Sequence, residues 1–348
     1  MEVCILGWFG HGNAGDERIG EVLIRCSGDM HFTLLPFLPL PPEIVNWFDA
    51  VILTAGNWHP RHRLATEFHR WCRKIHVPIV GLGLGVERMT PELAAGSAAL
   101  VERCDLLWVR DPESRRLLGD HQKILVGPDV TWLDPWPPVA AAARSQPAQI
   151  ALNLRPWSRD DWRPGDWVAA TRSLAGSTIA PWPLSAEDWK LLNRFYRDLA
   201  NDFDLAVARG ARIVVGMRLH SLIFAAQLGL PAIGISYDPK CERFLDGLGR
   251  REWALPLDAP ERLREAVAAA LAEWDQEHRR LLTLRETFRE QAAEILDSAV
   301  EIFHAAGQGR RRRDPGLLSR ALVWLGRRAI ATGYALRSRR FPIIEVPR

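Results

Sequence analysis

Cysteine is scarce and unpatterned: five residues stand at positions 4, 26, 72, 104 and 241, with no Cys-x-x-Cys pair. The odd number and the spacing exclude a disulfide framework and an ordinary zinc knuckle. Buried, reduced thiols in a cytosolic chain are the expectation. No apolar run reaches the roughly 18–20 residues that a membrane span needs. Residues 1–7 are apolar but carry no basic segment, so they read as a strand and not as a signal peptide. No repeat of fixed period occurs, which excludes a solenoid. The glycines at Gly10 and Gly12 lack a third glycine at the dinucleotide-binding spacing. His59, His62 and His69 lie near one predicted helix, but their spacing fits no zinc pattern, and surface histidines are expected there. Neither a metal nor a cofactor is called for.

What is present is an ordinary globular composition. The chain has 348 residues, 47% of them hydrophobic and 25% charged, enough for two cores and too apolar for global disorder. The formal charge of +3 is uneven. From Arg310 onward, 11 arginines face only Asp314 and Glu345, so a tail of +9 follows a body of −6. That asymmetry points to an anionic partner for the tail alone.

Short apolar runs at 3–6, 32–35, 50–54, 78–84, 106–109 and 124–126 alternate with helical patterns. Strands apolar throughout and separated by helices predict a parallel sheet covered on both faces. The proline-rich stretch 134–148 reads as a linker. Beyond it, strands are expected at 149–154, 212–216 and 231–236, and helices at 187–209, capped by Ser185, and at 219–228. Residues 260–306 read as two helices, and 156–183 as irregular and rich in tryptophan. The predicted fold is thus α/β: two doubly wound, Rossmann-like domains at 1–133 and 149–308, then a basic amphipathic tail at 309–348.

Three segments carry candidate chemistry. Gly10 to Asp16 joins a strand to a helix; its glycines let backbone approach a ligand, and the helix start offers N–H groups to an anion. Asp16 also fits a cap, so binding and capping stay open. Gly81, Gly83 and Gly85 lie at a strand end, where parallel sheets place ligands and where glycine also serves packing. The third segment, 214–240, reads strand, helix, strand. Arg218 and His220 fall at the helix entrance, off the apolar stripe of Leu219, Leu222, Ile223 and Ala226. A cation and an imidazole at a positive helix end suit a phosphate or carboxylate. Asp238 and Lys240 leave the next strand on the same edge, which favours a site over a lone surface arginine.

These residues resemble the polysaccharide pyruvyl transferase family, whose members are similar to two-domain GT-B glycosyltransferases. The resemblance rests on Gly12, Asn13, Gly15 and Asp16; on Val109, Arg110, Asp111 and Ser114; on Gly127 to Asp129; on Leu154, Arg155 and Trp157; and on the blocks Gly216 to His220 and Ser236 to Lys240. It implies a transferase that uses phosphoenolpyruvate as donor and forms a pyruvate ketal on a sugar. Arg155, Arg218 and Lys240 would hold the donor's anionic groups, the arginines reaching it across a gap between lobes. His220 would act as general acid or base, with Asp238 or Lys240 in the other half. Asn13, Asp16, Gly83 and Tyr237 would line the cleft on the acceptor side. Two places depart from the family pattern: Ala55 to Trp58 holds one glycine where members carry a cluster, and the stretch from Arg155 to Arg218 is short.

The expected partners are phosphoenolpyruvate and a glycan acceptor on a cell-surface polysaccharide or its lipid-linked precursor. Seven tryptophans between Trp132 and Trp189 offer faces for sugar rings or for packing. The arginine-rich stretch 310–340 suits an anionic membrane surface better than nucleic acid, for which no specific site is expected. The location implied is cytoplasmic, at the inner face of the plasma membrane. Two other readings fit: a GT-B glycosyltransferase using a nucleotide sugar, and a non-catalytic relative serving as a sugar-binding scaffold.

Overall fold

The computed structural model of the chain describes residues 1–307, apart from 27, 29, 55, 141–147, 175, 197, 198 and 200–202. Ala55, residues 141–147 of the linker and the basic tail therefore lie outside the described residues. The described chain divides into two compact units, Met1–Asp134 with residues 288–307, and Pro135–Thr287.

The first unit runs β1 (Glu2–Gly7), α1 (Ala14–Cys26), β2 (His31–Pro36), α2 (Pro42–Val45), β3 (Ala50–Leu53), β4 (Asn57–Trp58), α3 (Arg63–Trp71), β5 (Ile79–Val86), α4 (Pro91–Arg103), β6 (Leu106–Val109), α5 (Pro112–Leu117) and β7 (Ile124–Val126). The strands form one parallel sheet in the order β2-β1-β3-β5-β6-β7, with β4 beside β5. All of β3, β5 and β6 is buried, as expected when helices cover both faces. The order reverses at β1, the topological switch point where such sheets bind ligands beyond their strand ends.

The second unit carries β8 (Ala148–Asn153), α6 (Pro164–Arg172), β9 (Ser177–Pro181), α7 (Ala186–Leu192), α8 (Leu205–Arg209), β10 (Ile213–Gly216), α9 (Leu219–Gln227), β11 (Ala232–Ser236), α10 (Pro239–Gly247), β12 (Ala254–Pro256), α11 (Leu263–Ala272) and the start of α12 (Trp274–Gly307). Its parallel sheet has the order β12-β11-β10-β8-β9, with the switch at β8. Two doubly wound α/β units are therefore present, as the sequence predicts.

Three local expectations need correction. The segment 156–183 is not irregular: α6 starts at Pro164, whose missing N–H costs nothing in a first turn, and β9 pairs with β8. The helix capped by Ser185 stops at Leu192 and does not run on to 209; a separate short helix, α8, starts at the Asp204 cap. The last helix was expected to belong wholly to the second domain. Its residues from Phe288 group with the first unit, where Phe288 meets the Trp132 ring edge-on at 5.1 Å. The cysteines are free, and all but the half-buried Cys26 are buried. Burial pushes the Cys4 and Cys104 thiols far up, so neither is a nucleophile. No helix among the described residues is long and apolar enough to cross a membrane.

Candidate functional site: the carboxyl edge of the second sheet

Strands β11, β10 and β8 are neighbours in register, Gly234 beside Gly216 and Gly216 beside Asn153. Residues two positions beyond each strand thus emerge together at one edge. β8 delivers Arg155, β10 delivers Arg218 and then His220, and β11 delivers Tyr237, Asp238 and Lys240. All six belong to the second unit. The expected convergence of Arg155, Arg218 and His220 from two lobes is therefore corrected: one sheet edge supplies them.

A buried polar hub sets the geometry of that edge. Asn153, fully buried at the end of β8, accepts the Arg218 N–H through Oδ1 at 2.9 Å and donates through Nδ2 to the Trp182 carbonyl and to Asp188, both at 3.1 Å. Asp188, also fully buried, faces the Arg218 guanidinium with both oxygens, at 2.6 and 2.7 Å, and accepts the Leu184 N–H. Ser185 Oγ receives a third bond from Arg218 at 2.6 Å while it caps α7. Such a fork-on-fork pair matches planar donor to planar acceptor. It fixes Arg218 and neutralises its charge. Asn153, Ser185 and Asp188 were not among the predicted site residues. The one available signal was an Asn ending an apolar strand.

Arg155 is held differently. Its Nη1 donates to Tyr237 Oη at 3.1 Å, and its guanidinium lies 4.9 Å from the Tyr237 ring centre and 5.1 Å from that of Trp157. No carboxylate pairs with it among the described residues. Lys240 Nζ stands 5.3 Å from the same Tyr237 ring and 3.5 Å from Asp238. Two cations thus share one aromatic plate, with the Asp238 carboxylate beside Lys240. Asp238 also caps α10, accepting the Lys240 N–H at 3.0 Å. Aromatic faces orient guanidinium and ammonium groups without neutralising them.

His220 sits in the first turn of α9. The expectation that it lies off the buried stripe fails: every residue of α9 is buried, His220 included at 8% exposure, with its ring 5.7 Å from Phe224.

The predicted residues of the first unit do not form an anion cradle. Glu17 Oε1 accepts the N–H groups of Gly10 and Gly12 at 2.9 and 3.2 Å, so the loop binds its own helix. Both glycines have positive φ, which explains their presence. Asn13, not Asp16, takes the cap position: its Oδ1 accepts the Gly15 N–H and its amide bonds Asp16 inside the first turn. Gly83 has φ +69° at a register shift in β5, and a Cβ there would meet a Val130 methyl at 2.5 Å. Its lack of a side chain serves packing. The Val109 to Ser114 segment is structural as well. Asp111 caps α5 by accepting the Ser114 N–H, and Ser114 Oγ accepts the Val86 N–H at the end of β5.

Two doubly wound α/β units in tandem are a fold that this chain shares with a solved nucleotide-sugar epimerase. A putative UDP-N-acetylglucosamine 2-epimerase from Listeria monocytogenes superposes with a TM-score of 0.54 at 9% identity, over 90% of this chain and 98% of that one. The S. aureus MnaA–UDP co-structure gives 0.51 at 9% identity, over 90% and 99%. At that identity the likeness is one of fold. The chain belongs to the polysaccharide pyruvyl transferase family, whose model matches residues 22–239, well over half of its length. No curated protein sequence matches it.

Proposed function

We propose that this member of a transferase family is a ketal pyruvyl transferase with phosphoenolpyruvate as donor and a sugar diol of a cell-surface polysaccharide, or of its lipid-linked precursor, as acceptor. The observation that carries the proposal is Arg155: a guanidinium with no carboxylate partner among the described residues, laid on Tyr237 and Trp157 beside Lys240. Phosphoenolpyruvate presents a phosphate and a carboxylate, and two flanking cations suit both. Arg218, neutralised by Asp188, acts in this scheme as a positioning residue that sets the end of β10 and the start of α9.

In the reaction the methylene carbon gains a proton and a sugar hydroxyl oxygen attacks C2. A second hydroxyl oxygen then attacks the same carbon, and the C–O bond to phosphate breaks. Of the two hydroxyl protons, one balances the new methyl group and the other leaves with inorganic phosphate. His220, at the entrance of α9, is the group assigned to carry the proton. Burial in the helix's first turn fixes its orientation.

Phosphate release from phosphoenolpyruvate in the presence of acceptor sugars tests this directly. Turnover by the wild-type chain, with Arg155→Ala raising KM for the donor and His220→Ala lowering kcat, is the expected result. Turnover unchanged in both variants rules out the assigned roles. Protection from thermal melting by a nucleotide sugar and not by phosphoenolpyruvate would favour a glycosyltransferase.

A further inference from the structure

The carboxyl edge of the first sheet bears a second cluster, of another chemical character. Trp8, directly after β1, is 36% exposed and is the one exposed tryptophan among the described residues. Its indole stacks on the His11 ring at 3.8 Å and 10°, and the His62 ring meets it edge-on at 4.9 Å. Phe37, after β2, holds the other side of His62 at 5.6 Å and 89°. A polar chain adjoins these rings: Asn57, in β4, donates to Glu87 and accepts from Arg110. Gly85 makes room for it, since a Cβ there would run into the Arg110 guanidinium. Glu87 lies close enough to His62 to act on its charge.

We infer that Trp8, His11 and His62 form a recognition platform for an uncharged pyranose ring, the acceptor sugar if the pyruvyl transfer proposed above is correct. An exposed indole offers a flat apolar face that suits the C–H side of a pyranose. His11 already covers one face of that indole, so the sugar would take its exposed remainder, with the His62 ring edge-on beside it. Burial, followed by the neighbouring His59, His11 and Arg61, pushes His62 below the ordinary histidine range, against the opposing pull of Glu87. At neutral pH its ring is therefore uncharged and offers one donor and one acceptor, the pairing a hydroxyl requires. Arg110 and Glu87 are bridged through Asn57, so their two charges offset one another. The platform occupies the switch point of its sheet, where doubly wound folds receive ligands.

The test uses the full chain labelled with 5-fluorotryptophan and observed by fluorine NMR. The resonance missing from Trp8→Phe is that of Trp8. Methyl glucoside, methyl galactoside and methyl mannoside are titrated separately, without donor. The platform predicts a saturable shift of the Trp8 resonance with at least one pyranoside. It also predicts at least about fivefold weaker binding in His62→Ala, the scale of one lost hydrogen bond. A Trp8 resonance unmoved by all three, or moved by uridine diphosphate and by none of them, overturns it. His62→Ala keeps the native indole, so the result holds even if Trp8→Phe folds poorly. Phosphoenolpyruvate binding measured on the same samples separates the two ideas. Donor binding without a sugar response sinks the platform alone, and a sugar response without donor binding sinks the transferase reading alone.

Discussion

The two sheets present equivalent edges with opposite electrostatic character. At the first, the glycine loop after β1 spends its amides on Glu17, and Arg110 is tied through Asn57 to Glu87, beside the rings of Trp8, His11 and His62. At the second, Arg218 is neutralised by Asp188 but Arg155 and Lys240 gather on Tyr237 with Asp238 as counter-charge. The same topology thus carries an aromatic cluster at one edge and a cationic cluster at the other; we assign hydroxyls to the first and an anion to the second. Side chains in the loops and helix starts that follow the strands decide the difference.

The comparison can be broken at the hub. Asp188→Ala strips the counter-ion from a buried Arg218 and should destabilise the chain by about 3–5 kcal/mol. Thermal melting checks this; a shift no larger than that of a surface mutant would show that the pair does not organise the edge. Glu17→Ala leaves the Gly10 and Gly12 amides without their acceptor and should cost about 1–3 kcal/mol. Because that loop lies in the first unit, phosphoenolpyruvate binding should stay unchanged by calorimetry. Loss of donor binding in Glu17→Ala would erase the distinction drawn between the two edges.

A smaller, pH-dependent effect concerns the frame of the second unit. Burial pushes the Glu277 carboxyl up, but hydrogen bonds from Arg280 and Arg250 outweigh it and hold the group below the ordinary carboxylate range. Its contribution to stability is therefore full above the unfolded carboxylate value and is lost as pH falls through the lower folded one. Glu277→Gln should be less stable at neutral pH and lose less on acidification. Melting temperatures across that range, falling in parallel for both proteins, would refute it.

The strands were legible because parallel, doubly covered strands are apolar end to end. All six in the first sheet's main path stand within two residues of their expected ends. The cluster of Arg155, Tyr237, Asp238 and Lys240 was legible because two strand ends, those of β8 and β11, carry its polar residues. What escaped reading depends on distant partners. Asp188 looks like a helix-surface acid until Arg218, thirty residues on, is placed against it. β9, Ser177–Pro181, has little strand character and exists through its pairing with β8. His62 read as a surface histidine because Trp8 lies 54 positions earlier in the chain. Arg218 was expected to hold the donor, as its motif implies, yet motif spacing says nothing of a carboxylate waiting on another helix.

The measurement that bears most directly on the anion-binding edge is calorimetric titration of phosphoenolpyruvate into the wild-type chain, Arg155→Ala and Arg155→Lys. Loss of a charge-assisted contact worth about 1.5–3 kcal/mol predicts roughly 10- to 150-fold weaker binding in the alanine variant. Partial recovery is expected in the lysine variant, which keeps the charge and loses the fork. Equal affinity in all three proteins would contradict the account.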